Sequence, residues 1–95
     1  MTLPINPISG TEYQGKNIAL LLAAQDDSEY PLPHWVTYLQ AKDKGGQVRK
    51  GEHGVRCIKM VTLQDKETKK KFARPRGFTL FNVAQVDWDS VQADQ

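Results

Sequence analysis

A Gly45-Gly46 pair divides this 95-residue chain into two stretches with different apolar periods, and that break limits the fold more than any other feature. Before it, Ile18, Leu21 and Leu22, then Trp35, Val36 and Leu39, recur at helical spacing. After it come short β-branched and aromatic runs separated by glycine, proline and charged turns. The order predicts an α+β fold: two N-terminal helices followed by a small, largely antiparallel β-sheet with a basic hairpin.

The first fifteen residues contain Pro4, Pro7, Gly10 and Gly15, so they should run extended and turn-rich, with Tyr13 anchored on the core. Asn17 is the predicted cap of a first helix ending near Asp26, because its side-chain oxygen can accept from an orphan amide. Leu20 and the alanines widen that helix's apolar stripe. A second helix is expected from Pro33 or His34 to about Lys44, since proline suits a first helical turn. Gly45-Gly46 then stops it, glycine adopting the left-handed conformation without steric penalty. Gln47 to Lys50 can add a short strand. Val55 to Leu63 reads as a strand with Val55, Cys57, Val61 and Leu63 inward and Lys59 the exception; Phe72 or Arg76 through Val86 reads as its partner. Gln64 to Lys71 is the charged turn between them.

Ninety-five residues fit one domain, here expected to span 1–95, with its core at about 4–87 and an acidic, fraying tail at 88–95. The longest apolar run, Ile18 to Ala24, is seven residues, far short of the roughly 20 needed to cross a bilayer. No basic segment precedes a long apolar stretch with a cleavage site. A soluble cytoplasmic domain with no membrane partner is therefore expected. The single cysteine, Cys57, excludes an internal disulfide framework and a multi-cysteine zinc site, and reads as a small buried filler.

The net charge of +2 conceals an asymmetry. Residues 1–41 sum to −3, residues 42–76 carry twelve basic and four acidic side chains for +8, and residues 77–95 sum to −3. Positive charge gathered in the middle third is suited to a polyanion, because a local field steers association whatever the total. A solvated lysine-rich hairpin accounts for the same charges equally well.

Catalytic constellations are missing. His34 and His53 lack Asp, Glu or Cys at metal-ligand spacing, and there is no His-Glu-x-x-His element, phosphate loop or serine nucleophile elbow. No enzymatic activity and no cofactor or metal are expected. Arg49 and Lys50 precede Gly51-Glu52-His53-Gly54, whose glycines either make a tight turn or let the backbone approach another molecule closely. Glycine pairs of this spacing clamp nucleic-acid backbone in KH domains, but only between two suitable helices, and here strands follow. Lys69-Lys70-Lys71 marks a soluble hairpin tip. Arg74 and Arg76 bracket Pro75 beside Phe78 and Phe81, which places guanidinium groups near aromatic rings. Cations with stacking surfaces are what single-stranded nucleic acid requires. Tyr38, Phe78 and Phe81 are stacking candidates, each with an alternative place in the core, whereas Trp35 reads as core.

Three ordered blocks resemble a known family. Asn6-Pro7-Ile8-Ser9-Gly10-Thr11-Glu12-Tyr13-Gln14-Gly15-Lys16-Asn17 forms the first. Trp35-Val36-Thr37, Gln40-Ala41 and Gly46 through Gly54 form the second, and Phe81-Asn82-Val83 with Gln85 the third. Over about residues 4 to 87 they resemble the N-terminal domain of antirestriction ArdC proteins. The resemblance implies an α+β module that binds single-stranded DNA, found in plasmid and phage proteins and beside conjugative primase-type modules. ArdC proteins also carry a C-terminal metalloprotease-like domain with a zinc-binding histidine motif; the present chain ends before such a domain, so no protease or zinc role carries over. Position 53 is His where the family commonly has Lys, which weakens one phosphate contact at neutral pH.

The expected function is thus a non-catalytic single-stranded-DNA-binding module serving antirestriction or conjugative and phage DNA transfer. Its candidate contacts are Lys16, Tyr38, Gln47, Arg49 and Lys50, together with Arg56, Lys59, Arg74, Arg76 and Phe78. The alternative is a protein-interaction module that blocks a restriction or DNA-transfer partner directly. Mimicry of DNA is disfavoured, because it needs an acidic surface and the middle segment is basic.

Overall fold

The computed structural model describes residues 3–88. Its elements, in order, are helix α1 (Lys16–Asp27), strand β1 (Trp35–Val36), helix α2 (Tyr38–Asp43), strands β2 (Gln47–Val48), β3 (Val55–Gln64) and β4 (Lys71–Asn82), a 3₁₀ turn (Val83–Gln85), and strand β5 (Val86–Asp87). The fold is α+β with antiparallel pairing, as the change of period predicts. A three-stranded sheet runs β1-β4-β3, and a separate ribbon pairs β2 with β5. The acidic tail predicted at 88–95 lies outside the described residues except for Trp88.

The long β3–β4 hairpin sets the shape. Its register pairs Val55 with Leu80 at the base and Gln64 with Lys71 at the tip. Directly opposed residues share a face, so Cys57, Lys59, Val61 and Leu63 stand with Phe78, Arg76, Arg74 and Phe72. The opposite face carries Arg56, Ile58 and Met60 with Thr79, Gly77 and Pro75. Val83 N–H donates to the His34 carbonyl, so odd-numbered β4 residues direct their amides away from β3. Pro75 shares that parity, and its missing N–H therefore costs no bond of the hairpin ladder.

Each sheet face holds its own small core at the hairpin base. On one side Leu21, Trp35, Cys57 and Leu80 are fully buried, with Tyr13, Tyr30 and Phe78 packed around them. On the other, Val36, Ala41, Val48 and Val86 gather with Phe81 and Trp88. Beyond these cores the hairpin projects with neither face covered, and the molecule measures 52 × 33 × 25 Å. Its radius of gyration of 15.8 Å exceeds the roughly 12 Å of a compact chain this long.

Several local expectations are corrected. The second helix does not begin at Pro33 or His34; Trp35 and Val36 are a strand paired with Asn82 and Phe81. Their pairing outweighs the helical spacing, because Trp35 N–H bonds to the Ile5 carbonyl and both side chains enter the two cores. The helix starts at Tyr38 behind a Thr37–Gln40 capping box, which leaves Leu39 68% exposed instead of on an apolar face. Asn17 does not cap α1. The cap position is Gly15, with φ of 64°, and Asn17 is already helical. Leu20 likewise faces solvent. The second hairpin strand ends at Asn82, not Val86, because Asn82 caps the 3₁₀ turn and Val86 leaves to pair with Val48. Of the inward set expected on β3, Cys57 is buried and Val55 packs on the same core. Val61 and Leu63 share their face but lie beyond the cores, half-buried, because nothing covers the projecting hairpin. The Tyr13 anchor, the Gln47–Val48 strand and the stop at Gly45 agree with the sequence reading.

Candidate nucleic-acid interface

The projecting hairpin separates the predicted contact residues. Lys59, Arg74, Arg76 and Phe78 share the face that continues outward from the Trp35 core. Lys59 stands directly opposite Arg76, and its Nζ lies 5.5 Å from the centroid of the Phe78 ring. Phe72, which the sequence reading passed over, joins them with 43% of its surface exposed. From Phe72 to Phe78 the strand runs about 20 Å, at some 3.3 Å per residue. Within that length lie three cations and two aromatic rings on one side, with no acidic residue on the same face of either strand.

Arg56 occupies the reverse face. Its guanidinium lies over Gly77 and donates to the Thr79 hydroxyl at 3.3 Å. Any side chain at position 77 meets that guanidinium at 2.7 Å, so the missing Cβ leaves the space Arg56 uses. Phe81 is also on that side, edge-on to Tyr38 at 6.5 Å. Tyr38 remains 44% exposed. Lys16 is exposed at the start of α1.

Gln47, Arg49 and Lys50 form a second group beside the 3₁₀ turn. Arg49 donates from its backbone to the Gln85 carbonyl and from its guanidinium to the Ala84 carbonyl, and its Nε lies 3.7 Å from Glu52. The Arg49 side chain therefore anchors the loop as well as presenting charge, whereas Lys50 is exposed. The loop is fixed from below by buried Gln85, whose Nε2 donates to Glu52 Oε1 at 3.0 Å and to the His53 carbonyl at 2.8 Å. Of the two loop glycines, Gly51 supplies a turn with φ of 87°. Gly54 instead lies against β4, where an added Cβ meets the Leu80 carbonyl at 2.7 Å.

Beside the hairpin face opens a cleft of about 640 Å³, between the 6–17 segment, the start of α2 and the β3–β4 base. Lys59 and Phe78 line it together with Tyr13, Thr37 and Gln40. Side-chain amides hold these walls together. Asn6 Nδ2 donates to Gln40 Oε1 at 2.7 Å, and Asn6 Oδ1 accepts from the amides of Ile8 and Ser9. Asn17 closes the free edge of β3, donating to the Ile58 carbonyl at 2.8 Å and accepting from its N–H at 3.1 Å. The Tyr13 hydroxyl donates to the Trp35 carbonyl at 3.0 Å, and burial is the main cause that raises its pKa. Burial likewise raises the Cys57 thiol, which keeps it protonated and suits a filler. Asn6, Asn17, Gln40 and Gln85 were not singled out as site residues; the signal for them was their place in the three resembling blocks.

Among the described residues no group of three or more His, Cys, Asp and Glu side chains is placed to hold a metal ion, and no helix is long and apolar enough to cross a membrane.

Comparisons with known proteins agree with this geometry. In two crystal structures of the antirestriction ArdC protein from plasmid R388, the metal-free form matches with a TM-score of 0.79 and 38% identity, over 90% of this chain and 32% of that one. The Mn(II)-bound form gives 0.77 and 35%, over 90% and 31%. An uncharacterised protein y4eC of Sinorhizobium fredii is 35% identical over 98 residues, which cover 92% of this chain and 32% of the relative. A DNA primase TraC of Escherichia coli is 35% identical over 106 residues, covering 90% of this chain and 10% of the primase. The chain thus spans a third or less of these relatives' own length. A family model described as the N-terminal domain of anti-restriction factor ArdC matches residues 1–89. By sequence and by fold, this chain belongs to the ArdC N-terminal domain family.

Proposed function

We propose that this domain is a non-catalytic module that binds single-stranded DNA in the course of antirestriction or plasmid DNA transfer. The observation that carries this reading is the uncovered hairpin face, where Lys59, Arg74 and Arg76 lie between Phe72 and Phe78. Phosphates are attracted by the cations, and unpaired bases offer π-faces to the rings. A two-stranded ribbon also fits the major groove of duplex DNA, but there the bases are stacked on each other and the phenylalanines gain nothing. Lys50 and Arg49 supply a second basic group beside the 3₁₀ turn, which begins about 20 Å along β4 from Arg76. The kinship with ArdC of plasmid R388 and with a DNA primase TraC is consistent with DNA as the polyanion.

Titration of fluorescent oligonucleotides of equal length, single-stranded and duplex, tests the reading. Tighter binding to the single strand is expected. Equal or tighter duplex binding, or no binding to either, overturns it.

A further inference from the structure

We propose that the cleft beside the hairpin is a slot for one unstacked nucleobase, selective for a base that presents an exocyclic carbonyl; this rests on the single-stranded-DNA reading and specifies one site within it. The selectivity comes from Gln40. Its Oε1 accepts from Asn6 Nδ2 at 2.7 Å and from Thr37 N–H at 3.0 Å, which uses both lone-pair directions and fixes the amide's orientation. Nε2 is therefore held on the other side of the amide, and its hydrogens take no partner among the hydrogen bonds of the described residues. Gln40 lines the cleft with that donor available. Thr37, beside it, already receives the Gln40 N–H on its hydroxyl oxygen, so its own hydroxyl proton is a second donor.

Phe78 lines the same cleft, its ring partly covered by the Lys59 ammonium at 5.5 Å. A base stacking on that ring takes the place of the ammonium, whose flexible four-carbon stem lets it move to the adjoining phosphate. The same lysine thus covers the ring in the free protein and neutralises backbone charge in the complex. Two neighbouring donors and an aromatic ring in one cleft suit thymine, whose carbonyls present two acceptors. Adenine fits less well, because its Watson–Crick and Hoogsteen edges both set the N6 amine, a donor, beside the ring-nitrogen acceptor. Once a base covers the cleft, a donor turned toward another donor is costly, and that asymmetry is what discriminates between the two.

The test uses oligonucleotides of abasic spacers, each carrying a single internal thymidine, a single deoxyadenosine, or no base, with affinities measured by fluorescence anisotropy. Because only one base is present, binding register and strand self-stacking do not enter. The wild-type chain should bind the thymidine probe at least about tenfold more tightly than the abasic one, the effect of one stack and one hydrogen bond. It should bind that probe about fivefold more tightly than the deoxyadenosine one, which also stacks and differs by the hydrogen bond alone. Gln40→Glu keeps the oxygen that accepts from Asn6 and Thr37 but replaces the donor by an acceptor. It should abolish or reverse the thymidine preference, since adenine's amine can now donate. If ordinary oligo(dT) binds but the wild-type chain holds all three probes equally, the slot is refuted and the single-strand reading survives. A thymidine preference left unchanged by Gln40→Glu, in a variant whose circular dichroism is native, refutes the role of Gln40. Failure to bind oligo(dT) itself removes both.

Discussion

Replacing Gln85 by Ala should destabilise this domain more than any surface change around the candidate interface. The side chain is 2% exposed and makes three hydrogen bonds that join separate segments. Its Oε1 accepts from the Asn82 N–H at 2.8 Å, in a residue that is itself fully buried. Its Nε2 reaches Glu52 and the His53 carbonyl at 3.0 and 2.8 Å. Truncation strands the Asn82 N–H away from water, which costs about 1–3 kcal/mol. The two contacts to the loop are nearer solvent and can be replaced by water, at about 0.5–1 kcal/mol each. The sum is about 3 kcal/mol, from a total stability of roughly 5–14 kcal/mol for a chain of this size. Urea denaturation of Gln85→Ala and wild type should show that difference, with a midpoint temperature lowered by roughly 12–24 °C. Gln47→Ala, at an exposed residue of the neighbouring strand, should change stability by less than about 0.5 kcal/mol. A loss below about 1 kcal/mol in Gln85→Ala refutes the idea that this amide fastens the Arg49–Gly54 loop to β4.

Gly54→Ala should cost about 1–3 kcal/mol, because its Cβ falls 2.4 Å from Thr79 Cγ2 and 2.7 Å from a backbone carbonyl; thermal melting that matches wild type contradicts this packing. Asn17→Ala removes both bonds to Ile58, so the Ile58 amide should exchange with deuterium markedly faster while core amides such as Leu80 keep their protection. Tyr13 has a raised pKa, chiefly from burial, so its contribution is complete below the unfolded value near 10 and is lost as pH rises through the higher folded value. Stability should therefore fall on alkaline titration above pH of about 10, and Tyr13→Phe should flatten that fall; an unchanged slope in the variant assigns the loss elsewhere.

The broad architecture was legible because it rests on local signals. Gly45 adopts φ of 82° where the helix stops, and the alternation of β3 puts Cys57 in the core and Val61 on the same face, with Lys59 standing out between them. What escaped depends on partners distant in sequence. Trp35 has helical spacing to Leu39, yet it pairs with Asn82, 47 positions later, and no local pattern carries that information. Asn17 has the right chemistry for a helix cap, but its amide finds the Ile58 backbone across the fold and its place is taken by Gly15. The Thr37–Gln40 capping box was visible in the sequence and was masked by the preceding apolar pair. Charge told the same story at the site. Twelve cations in one segment predicted a basic surface, but strand parity, set by the Cys57–Phe78 register, decides that Lys59, Arg74 and Arg76 share a face and that Arg56 does not.

The uncovered hairpin face is tested most directly by the salt dependence of oligo(dT) binding in wild type and in the Arg74→Ala/Arg76→Ala double variant. Both side chains are exposed beyond the two cores, so the variant should fold with unchanged circular dichroism. Each phosphate contact on a single strand contributes about −0.7 to the slope of log affinity against log salt. The account predicts weaker binding and a slope shallower by about 1.4 in the double variant, with a smaller change for Arg56→Ala on the reverse face. A double variant that keeps the full wild-type slope contradicts the hairpin face as the site where the DNA backbone is held.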